Sequence, residues 1–158
     1  MKPSRDFLPE GHATGGLPML LGLSHLTFIV RDLDRMEAIL TSVLEARKTY
    51  DSGAAGHSLS RERFFDVGGI WVATMEGPPL PARSYNHVAF RISDASYDDR
   101  LGRIRMLGLD VREGRARTPG EGRSIYFHDD DNRLFELHAG KLEERLRHYA
   151  AGSEAADR

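Results

Sequence analysis

The stretch LSHLTFIV, residues 23–30, decides how the chain begins to fold. Successive side chains of a β-strand point to opposite faces, so Phe28 and Val30 share one face of this stretch. His25 and Thr27 share the other face. This alternation predicts a β-strand that packs its apolar face on a core and presents a histidine on the opposite face.

The same pattern returns in NHVAFRIS, residues 86–93. Here Phe90 and Ile92 share an apolar face, and His87 begins the opposite one. His25 and His87 are 62 positions apart. A supersecondary unit that recurs at a fixed spacing indicates an internal duplication.

Each of these strands is followed by an aspartate and then by helical periodicity. Asp32 and Asp94 are positioned to cap helices formed by LDRMEAILTSVLEA (33–46) and SYDDRLGRIRMLG (96–108). Further strand candidates follow in both halves: KTYDSG, SRERFFDV and GIWVATMEG, then LDVREG, RSIYFHD and NRLFELHAG. Each half therefore reads β-α-β-β-β, and the predicted fold class is α+β, with two such modules forming curved mixed sheets.

The length of 158 residues fits a single domain. DDDN, residues 129–132, is predicted to form a hairpin turn between the last two strands. We expect the following organisation: a disordered N-terminal extension (1–20), one domain (21–152) made of module one (21–80), module two (84–140) and a C-terminal helix (141–152), and a frayed tail (153–158).

Composition excludes several kinds of protein. Hydrophobic residues make up 40% and charged residues 29% of the chain, and the net charge is −2, which gives no electrostatic basis for binding nucleic acid. The chain contains no cysteine, so it has neither a disulfide framework nor a thiolate nucleophile. No segment is long and apolar enough to span a membrane, and a cytoplasmic location is expected.

The stretch RLFELHAG, residues 133–140, places Glu136 between two apolar residues. Alternation turns Glu136 away from the apolar layer, onto the inner surface that also carries His25 and His87. Two imidazoles and a carboxylate are a competent ligand set for manganese, iron, zinc or nickel. The equivalent slot of module one, near Ala73 and Thr74, carries no ligand. Other polar side chains predicted on this surface are Thr27, Ser124 and Tyr126.

Four segments resemble the vicinal oxygen chelate superfamily and, within it, the fosfomycin resistance proteins of the FosX type: LSHLTFIVRDLDRM, SLSRERFF, RSYNHVAF and GEGRSIYFHDDDNRLFELHAG. The resemblance covers residues 21–152. It implies a vicinal oxygen chelate fold and a manganese-dependent epoxide hydrolase that converts the antibiotic fosfomycin to an inactive diol. It also implies a homodimer whose modules exchange between chains, so that each site takes His25 from one subunit and His87 with Glu136 from the other.

The resemblance assigns further roles residue by residue. Glu62, in the SLSRE segment, corresponds to the general base that activates water. Substrate-binding residues are expected at Thr27, Tyr85, Arg117, Ser124, Tyr126 and Arg145. Ser124 and Tyr126 are expected to donate hydrogen bonds to the phosphonate of the substrate, and Arg145 to pair with it. Thr27 is expected to join them near the metal, and Tyr85 to line the substrate cavity. Arg115 or Arg117 is expected to replace a lysine of related enzymes, because Ala116 occupies its position. Gly120 stands where those relatives have a serine of their potassium site, so potassium is not predicted.

Three alternatives stay open: a thiol transferase of the same family, a metal-free drug-binding protein of the same fold, and a non-haem iron oxygenase with a similar ligand triad.

Several conspicuous residues are predicted to have a structural role and no role in the site. Trp71 and Phe90 are predicted to lie in the core. His138 shares a face with Glu136 but is expected to lie about 7 Å away along the strand. The remaining histidines, His12, His57, His128 and His148, are placed in loops, the lead-in or the terminal helix.

Overall fold

We analysed a computed structural model that describes residues 20–54, 58–112 and 121–156, with side chains described as far as residue 150. The predicted N-terminal extension, Arg115, Ala116, Arg117 and Gly120 therefore lie outside the described residues. The strands are β1 (His25–Val30), β2 (Arg47–Asp51), β3 (Glu62–Val67), β4 (Ile70–Glu76), β5 (His87–Arg91), β6 (Asp110–Arg112), β7 (Arg123–His128) and β8 (Leu134–Ala139). The helices are α1 (Leu33–Leu44), α2 (Tyr97–Met106) and α3 (Leu142–Ala156).

The strands form two four-stranded sheets with the same topology. Sheet 1 has the order β1-β4-β3-β2 and sheet 2 the order β5-β8-β7-β6. In each sheet the first strand pairs in parallel with the last strand of its module, and the other pairs are antiparallel. The predicted β-α-β-β-β duplication is therefore confirmed.

The two helix starts differ from each other. The side chain of Asp32 accepts a hydrogen bond from the backbone N–H of Arg35 and caps α1, as predicted. The prediction that Asp94 caps a helix is wrong, because Asp94 is the first residue of a short 3-10 helix rather than the residue before it. Its carboxylate pairs instead with Arg123 at 2.8 Å. The capping arrangement is thus not preserved between the modules.

One hydrophobic core joins the two modules. The apolar faces predicted for β1, β5 and β8 all contribute to it, through Phe28, Phe90 and Phe135 among others. The rings of Phe28 and Phe135 meet edge to face, with centroids 5.5 Å apart. The prediction that Trp71 belongs to this core is wrong, because Trp71 alternates with the fully buried Val72 and is 41% exposed on the opposite face.

The turn between β7 and β8 ties the second module to the first. Asn132 has a positive φ of 66°, which confirms the turn predicted for DDDN. Arg133 pairs with the buried Asp129 at 2.8 Å and donates to the carbonyl oxygen of Ile29 at 3.0 Å. Its guanidinium also lies 4.6 Å from the ring centroid of Phe28. These contacts of Arg133, here called the Arg133 clamp, fix the start of β8 against β1.

The last helix begins as predicted and continues to Ala156, past the predicted end at residue 152. Two of its apolar side chains, Leu142 and Leu146, are exposed at 65% and 54% in the single chain. Among the described residues, no helix has the length and apolar character that a membrane span requires.

Replacing Arg133 with methionine tests the clamp. The change leaves the Asp129 carboxylate buried without its cationic partner, so we expect the free energy of unfolding to fall by about 3–5 kcal/mol in urea denaturation. Arg61→Met is the matched control, because it removes an arginine whose ion pair with Glu76 is exposed to solvent. The control should show no resolvable change. Equal losses in both variants would contradict the proposed role of Arg133.

Candidate metal centre

Each sheet has an open face that points away from the core. Alternation and register place the following side chains on the open face of sheet 1: His25, Thr27, Ile29, Glu62, Phe64, Trp71 and Ala73. The same argument places the following side chains on the open face of sheet 2: His87, Ala89, Arg112, Ser124, Tyr126, His128, Leu134, Glu136 and His138. The candidate functional residues are thus divided between two surfaces.

His87 and Glu136 meet on the open face of sheet 2. The Nε2 atom of His87 lies 3.0 Å from Oε2 of Glu136. On the other side of the ring, Nδ1 of His87 lies 2.8 Å from the carbonyl oxygen of Tyr85. Because that carbonyl oxygen only accepts hydrogen bonds, Nδ1 carries the proton in the neutral ring, and Nε2 presents its lone pair toward Glu136.

The carboxylate of Glu136 is 6% exposed and is held by hydroxyl groups. Ser124 Oγ donates to Oε1 at 2.6 Å, and Tyr126 also donates a hydrogen bond. Burial raises the pKa of Glu136, but these two hydrogen bonds and the nearby histidines outweigh it and hold the pKa below its ordinary value. The Glu136 carboxylate is therefore ionised at neutral pH.

His138 lies closer to Glu136 than its strand position suggested. Its Nδ1 is 2.8 Å from Ser124 Oγ and 3.6 Å from Oε1 of Glu136. The expectation of about 7 Å between the two residues considered only the rise along the strand. In the structure both side chains bend toward Ser124, which stands opposite His138 on β7. His138 thus supports the hydroxyl that orients the Glu136 carboxylate.

Strand register shows how far the duplication extends. Ala89, two residues after His87, pairs with Glu136 on the neighbouring strand. Thr27, two residues after His25, pairs with Ala73. Ala73 therefore occupies the position in module one that Glu136 occupies in module two, as predicted from the sequence. Module one supplies a histidine to its open face but no carboxylate beside it.

His25 does not join His87 and Glu136 within one chain. Its ring packs on Trp71, with centroids 4.4 Å apart, and its Nδ1 lies 3.1 Å from the hydroxyl of Ser24. Across the described part of the chain, no three histidine, aspartate or glutamate side chains converge closely enough to hold a metal ion. Sequence reasoning missed the contact with Trp71, although alternation with Val72 was a signal that could have found it.

Glu62 lies on the same open face as His25. It is 8% exposed at the start of β3, and its backbone exchanges hydrogen bonds with Ser52. Register places Glu62 opposite Met75, whose partner on β1 is Ile29. Glu62 is therefore a buried side chain and not a solvated one on an exposed strand face.

The other candidate residues lie at different distances from the His87 and Glu136 pair. Tyr85 stands beside it, with ring centroids 5.2 Å from His87 and 6.1 Å from Tyr126. Arg145 lies on α3, and within the described residues its side chain forms no ion pair or hydrogen bond. Arg117 lies outside the described residues. Tyr85 is thus the candidate that the fold brings directly to the His87 and Glu136 pair.

The geometry of this pair fits a divalent cation. Two ligand atoms that bind one ion at about 2.1 Å and at right angles to each other are about 3.0 Å apart. Nε2 of His87 and Oε2 of Glu136 have this separation. Imidazole nitrogen and carboxylate oxygen suit manganese, iron and zinc. The separation of these two atoms is therefore compatible with two adjacent ligands of one ion.

Comparison with known proteins defines the class. Residues 22–137 match the model of the glyoxalase/bleomycin resistance protein/dioxygenase superfamily. The match covers both β-α-β-β-β modules and ends one residue after Glu136. The chain therefore belongs to this superfamily, whose fold was expected from the sequence under the name vicinal oxygen chelate.

Within that superfamily, the chain is similar to fosfomycin resistance proteins of the FosX group. It is 59% identical to FosX of Mesorhizobium japonicum, over 87% of this chain and 99% of that one. A crystal structure of FosX from Mesorhizobium loti superposes with a TM-score of 0.74 at 57% identity, over 82% of this chain and 99% of the other. A mutant of FosX from Listeria monocytogenes, complexed with Mn(II) and 1S,2S-dihydroxypropylphosphonic acid, superposes with a TM-score of 0.76 at 47% identity, over 83% and 99% of the two chains.

Removing the hydroxyl of Ser124 tests how Glu136 is held. Ser124→Ala deletes a hydrogen bond to a charged carboxylate, so we expect the pKa of Glu136 to rise. The carboxyl carbon resonance of Glu136, followed by NMR over pH in metal-free protein, measures this change. Ser96→Ala is the control, because Ser96 donates only to the carbonyl oxygen of Ser93 within its own turn. An unchanged Glu136 titration in Ser124→Ala would contradict the arrangement.

Proposed function

We propose that this protein hydrolyses the epoxide ring of fosfomycin to a diol in a manganese-dependent reaction and thereby confers resistance to the antibiotic. The observation that carries the proposal is the His87 and Glu136 pair, 3.0 Å apart, in a chain 59% identical to a FosX protein. The diol phosphonate bound with Mn(II) in a related FosX structure is what hydration of fosfomycin would yield. This product favours hydrolysis over addition of a thiol.

His25, His87 and Glu136 are the proposed ligands of the manganese ion. The ion, when bound, acts as a Lewis acid toward the oxirane oxygen. The neutral tautomer of His87, fixed by the Tyr85 carbonyl oxygen, and the ionised carboxylate of Glu136 are the protonation states that ligation requires.

A homodimer is proposed to complete the ligand set. His25 is exposed on the open face of sheet 1, and its partner ligands lie on the open face of sheet 2. Large side chains beside them are exposed in the single chain, including Ile29 at 37% and Tyr85 at 62%. Packing the open face of sheet 1 of one subunit on the open face of sheet 2 of the other would cover these side chains and bring the ligands together.

Glu62 is the proposed general base. It shares the open face of sheet 1 with His25, and its burial removes it from bulk water. In the proposed step, Glu62 takes a proton from a water molecule while the water oxygen attacks an oxirane carbon. The ring C–O bond breaks, the ring oxygen takes up a proton from solvent to give the second hydroxyl of the diol, and Glu62 releases its proton to solvent. Water is the only co-reactant that this step consumes.

The proposed substrate-binding residues are Thr27, Tyr85, Arg117, Ser124, Tyr126 and Arg145, of which Ser124, Tyr126 and the arginines would contact the phosphonate group. Tyr85 and Tyr126 support this placement, because their rings flank His87. Arginine side chains would supply the charge that a phosphonate dianion needs. A cytoplasmic location stays a prediction from the cysteine-free sequence.

Glu62→Gln should reduce hydrolysis of fosfomycin by about 100-fold to 10,000-fold while manganese still binds, because the amide keeps the shape of the side chain but cannot accept a proton. Phosphorus NMR of fosfomycin with protein and manganese measures the reaction, and calorimetry measures metal binding. Glu76→Gln is the control, since Glu76 lies on the adjacent strand and pairs with Arg61.

The same NMR assay separates the alternatives. A diol formed without thiol supports hydrolysis, and a product that appears only with added thiol identifies a transferase. Full turnover by Glu62→Gln would remove Glu62 from the mechanism.

Mixed dimers test the shared site. His25→Ala and Glu136→Ala should each be inactive alone, because each breaks both sites of its own dimer. After the two variants are unfolded and refolded together, about half of the dimers are hybrids, each with one intact site, so about a quarter of wild-type activity should return. If all three ligands came from one chain, the mixture would stay inactive, and this outcome would refute the exchange of modules.

A further inference from the structure

A pocket of about 570 Å³ opens beside the candidate metal centre. This volume is within the range of small-molecule sites. Its lining residues come from the segment before β5, from β6 and from the end of β7: Arg83, Ser84, Tyr85, Asp110, Arg112 and His128. We call it the His128 pocket. Tyr85 forms its wall toward the centre, because the same ring also contacts His87 and Tyr126.

His128 is an unpartnered polar group in this pocket. Sequence reasoning placed it in a loop, but it is the last residue of β7 and is only 3% exposed. Within the described residues, neither of its ring nitrogens has a hydrogen-bond partner. Buried polar groups are nearly always paired, because leaving one unpaired costs about 1–3 kcal/mol. A ligand that hydrogen-bonds to His128 would remove this cost.

The charges around His128 favour an anion. Arg112 carries no ion pair or hydrogen bond from its guanidinium within the described residues, whereas Arg83 forms a short ion pair with Asp110. Burial, with Arg83 and Arg112 nearby, lowers the pKa of His128, and Asp110 opposes this shift. The ring is therefore neutral at neutral pH and keeps one N–H to donate. With Asp110 neutralised by Arg83, Arg112 carries the one uncompensated positive charge among the described residues that line the pocket.

We propose that the His128 pocket is an entry subsite for a phosphonate or phosphate group, in which Arg112 and His128 bind the anion before it passes Tyr85 to the metal centre. The proposal that the pocket binds an anion does not depend on the proposed function. Its role as an entry subsite for substrate rests on the proposed function.

The position of the pocket suits this role. Arg112 pairs in register with Tyr126, which pairs with Glu136. Adjacent strands are about 4.8 Å apart, so Arg112 and Glu136 share a face with about 10 Å between their backbones. An anion held at Arg112 would lie one side chain away from the centre. A positively charged subsite at a cleft raises the local concentration of an anionic substrate and its rate of association.

Inorganic phosphate is the probe for binding. Metal-free full-length protein, labelled with ¹⁵N in its histidine rings, is titrated with phosphate at constant ionic strength. We expect the ring resonances of His128 to shift in a saturable way, and Arg112→Gln to weaken the binding at least about tenfold. Arg105→Gln, an exposed arginine on α2 that does not line the pocket, should bind phosphate as the wild type does. Unmoved His128 resonances, or equal binding by Arg112→Gln, would overturn the proposal.

Fosfomycin kinetics test the entry role separately. If the pocket collects substrate, Arg112→Gln lowers kcat/KM more than kcat, and its kcat/KM depends less on salt concentration than that of wild type or Arg105→Gln. Equal falls in kcat and kcat/KM would place Arg112 in the reaction itself and overturn the entry role. If the wild type does not hydrolyse fosfomycin, the proposed function fails, and the phosphate titration still decides whether the pocket binds an anion.

Discussion

The buried carboxylate of Glu136 is the constraint around which the candidate site is organised. An ionised group that is 6% exposed is stable only if hydrogen-bond donors surround it. β7 supplies two of them, because Ser124 and Tyr126 lie on the same face in register with β8. His87, from the parallel neighbour β5, lies 3.0 Å from the carboxylate. The two hydroxyl donors on β7 therefore help to keep one charge in a largely apolar sheet.

The two modules share one strand pattern but carry different functional side chains on their open faces. Both keep a histidine at the start of the first strand, but only the second has a carboxylate on the strand beside it. The first module instead places Trp71 against His25 and buries Glu62 on the same face. In the proposed site, one module supplies two of the metal ligands, and the other supplies the third ligand and the proposed base. Neither module forms the proposed site alone, so the proposed activity depends on the proposed pairing of subunits.

The contact between modules is itself built from buried charge. Arg133 joins the Asp129 carboxylate, the Ile29 carbonyl oxygen and the Phe28 ring. A second pair between the modules joins the exposed Arg31 to the buried Asp131. Because Ile29 and Phe28 follow His25 on β1, this clamp also fixes the direction in which the open face of sheet 1 points. The scaffold and the candidate site therefore depend on the same strand.

The sequence by itself determined the duplication, the order of the strands and helices, and which side chains of β1, β5 and β8 face the core, because alternation along a strand is a local property of the backbone. It therefore predicted that Glu136 and His87 share a surface, and that Ala73 stands where a fourth ligand would be. Tertiary structure alone decided the rest. Asp94 pairs with Arg123 instead of capping a helix, the side chain of His138 bends toward Ser124, and His128 is buried. These outcomes depend on contacts between strands and loops far apart in the chain, and periodicity within a segment carries no information about them.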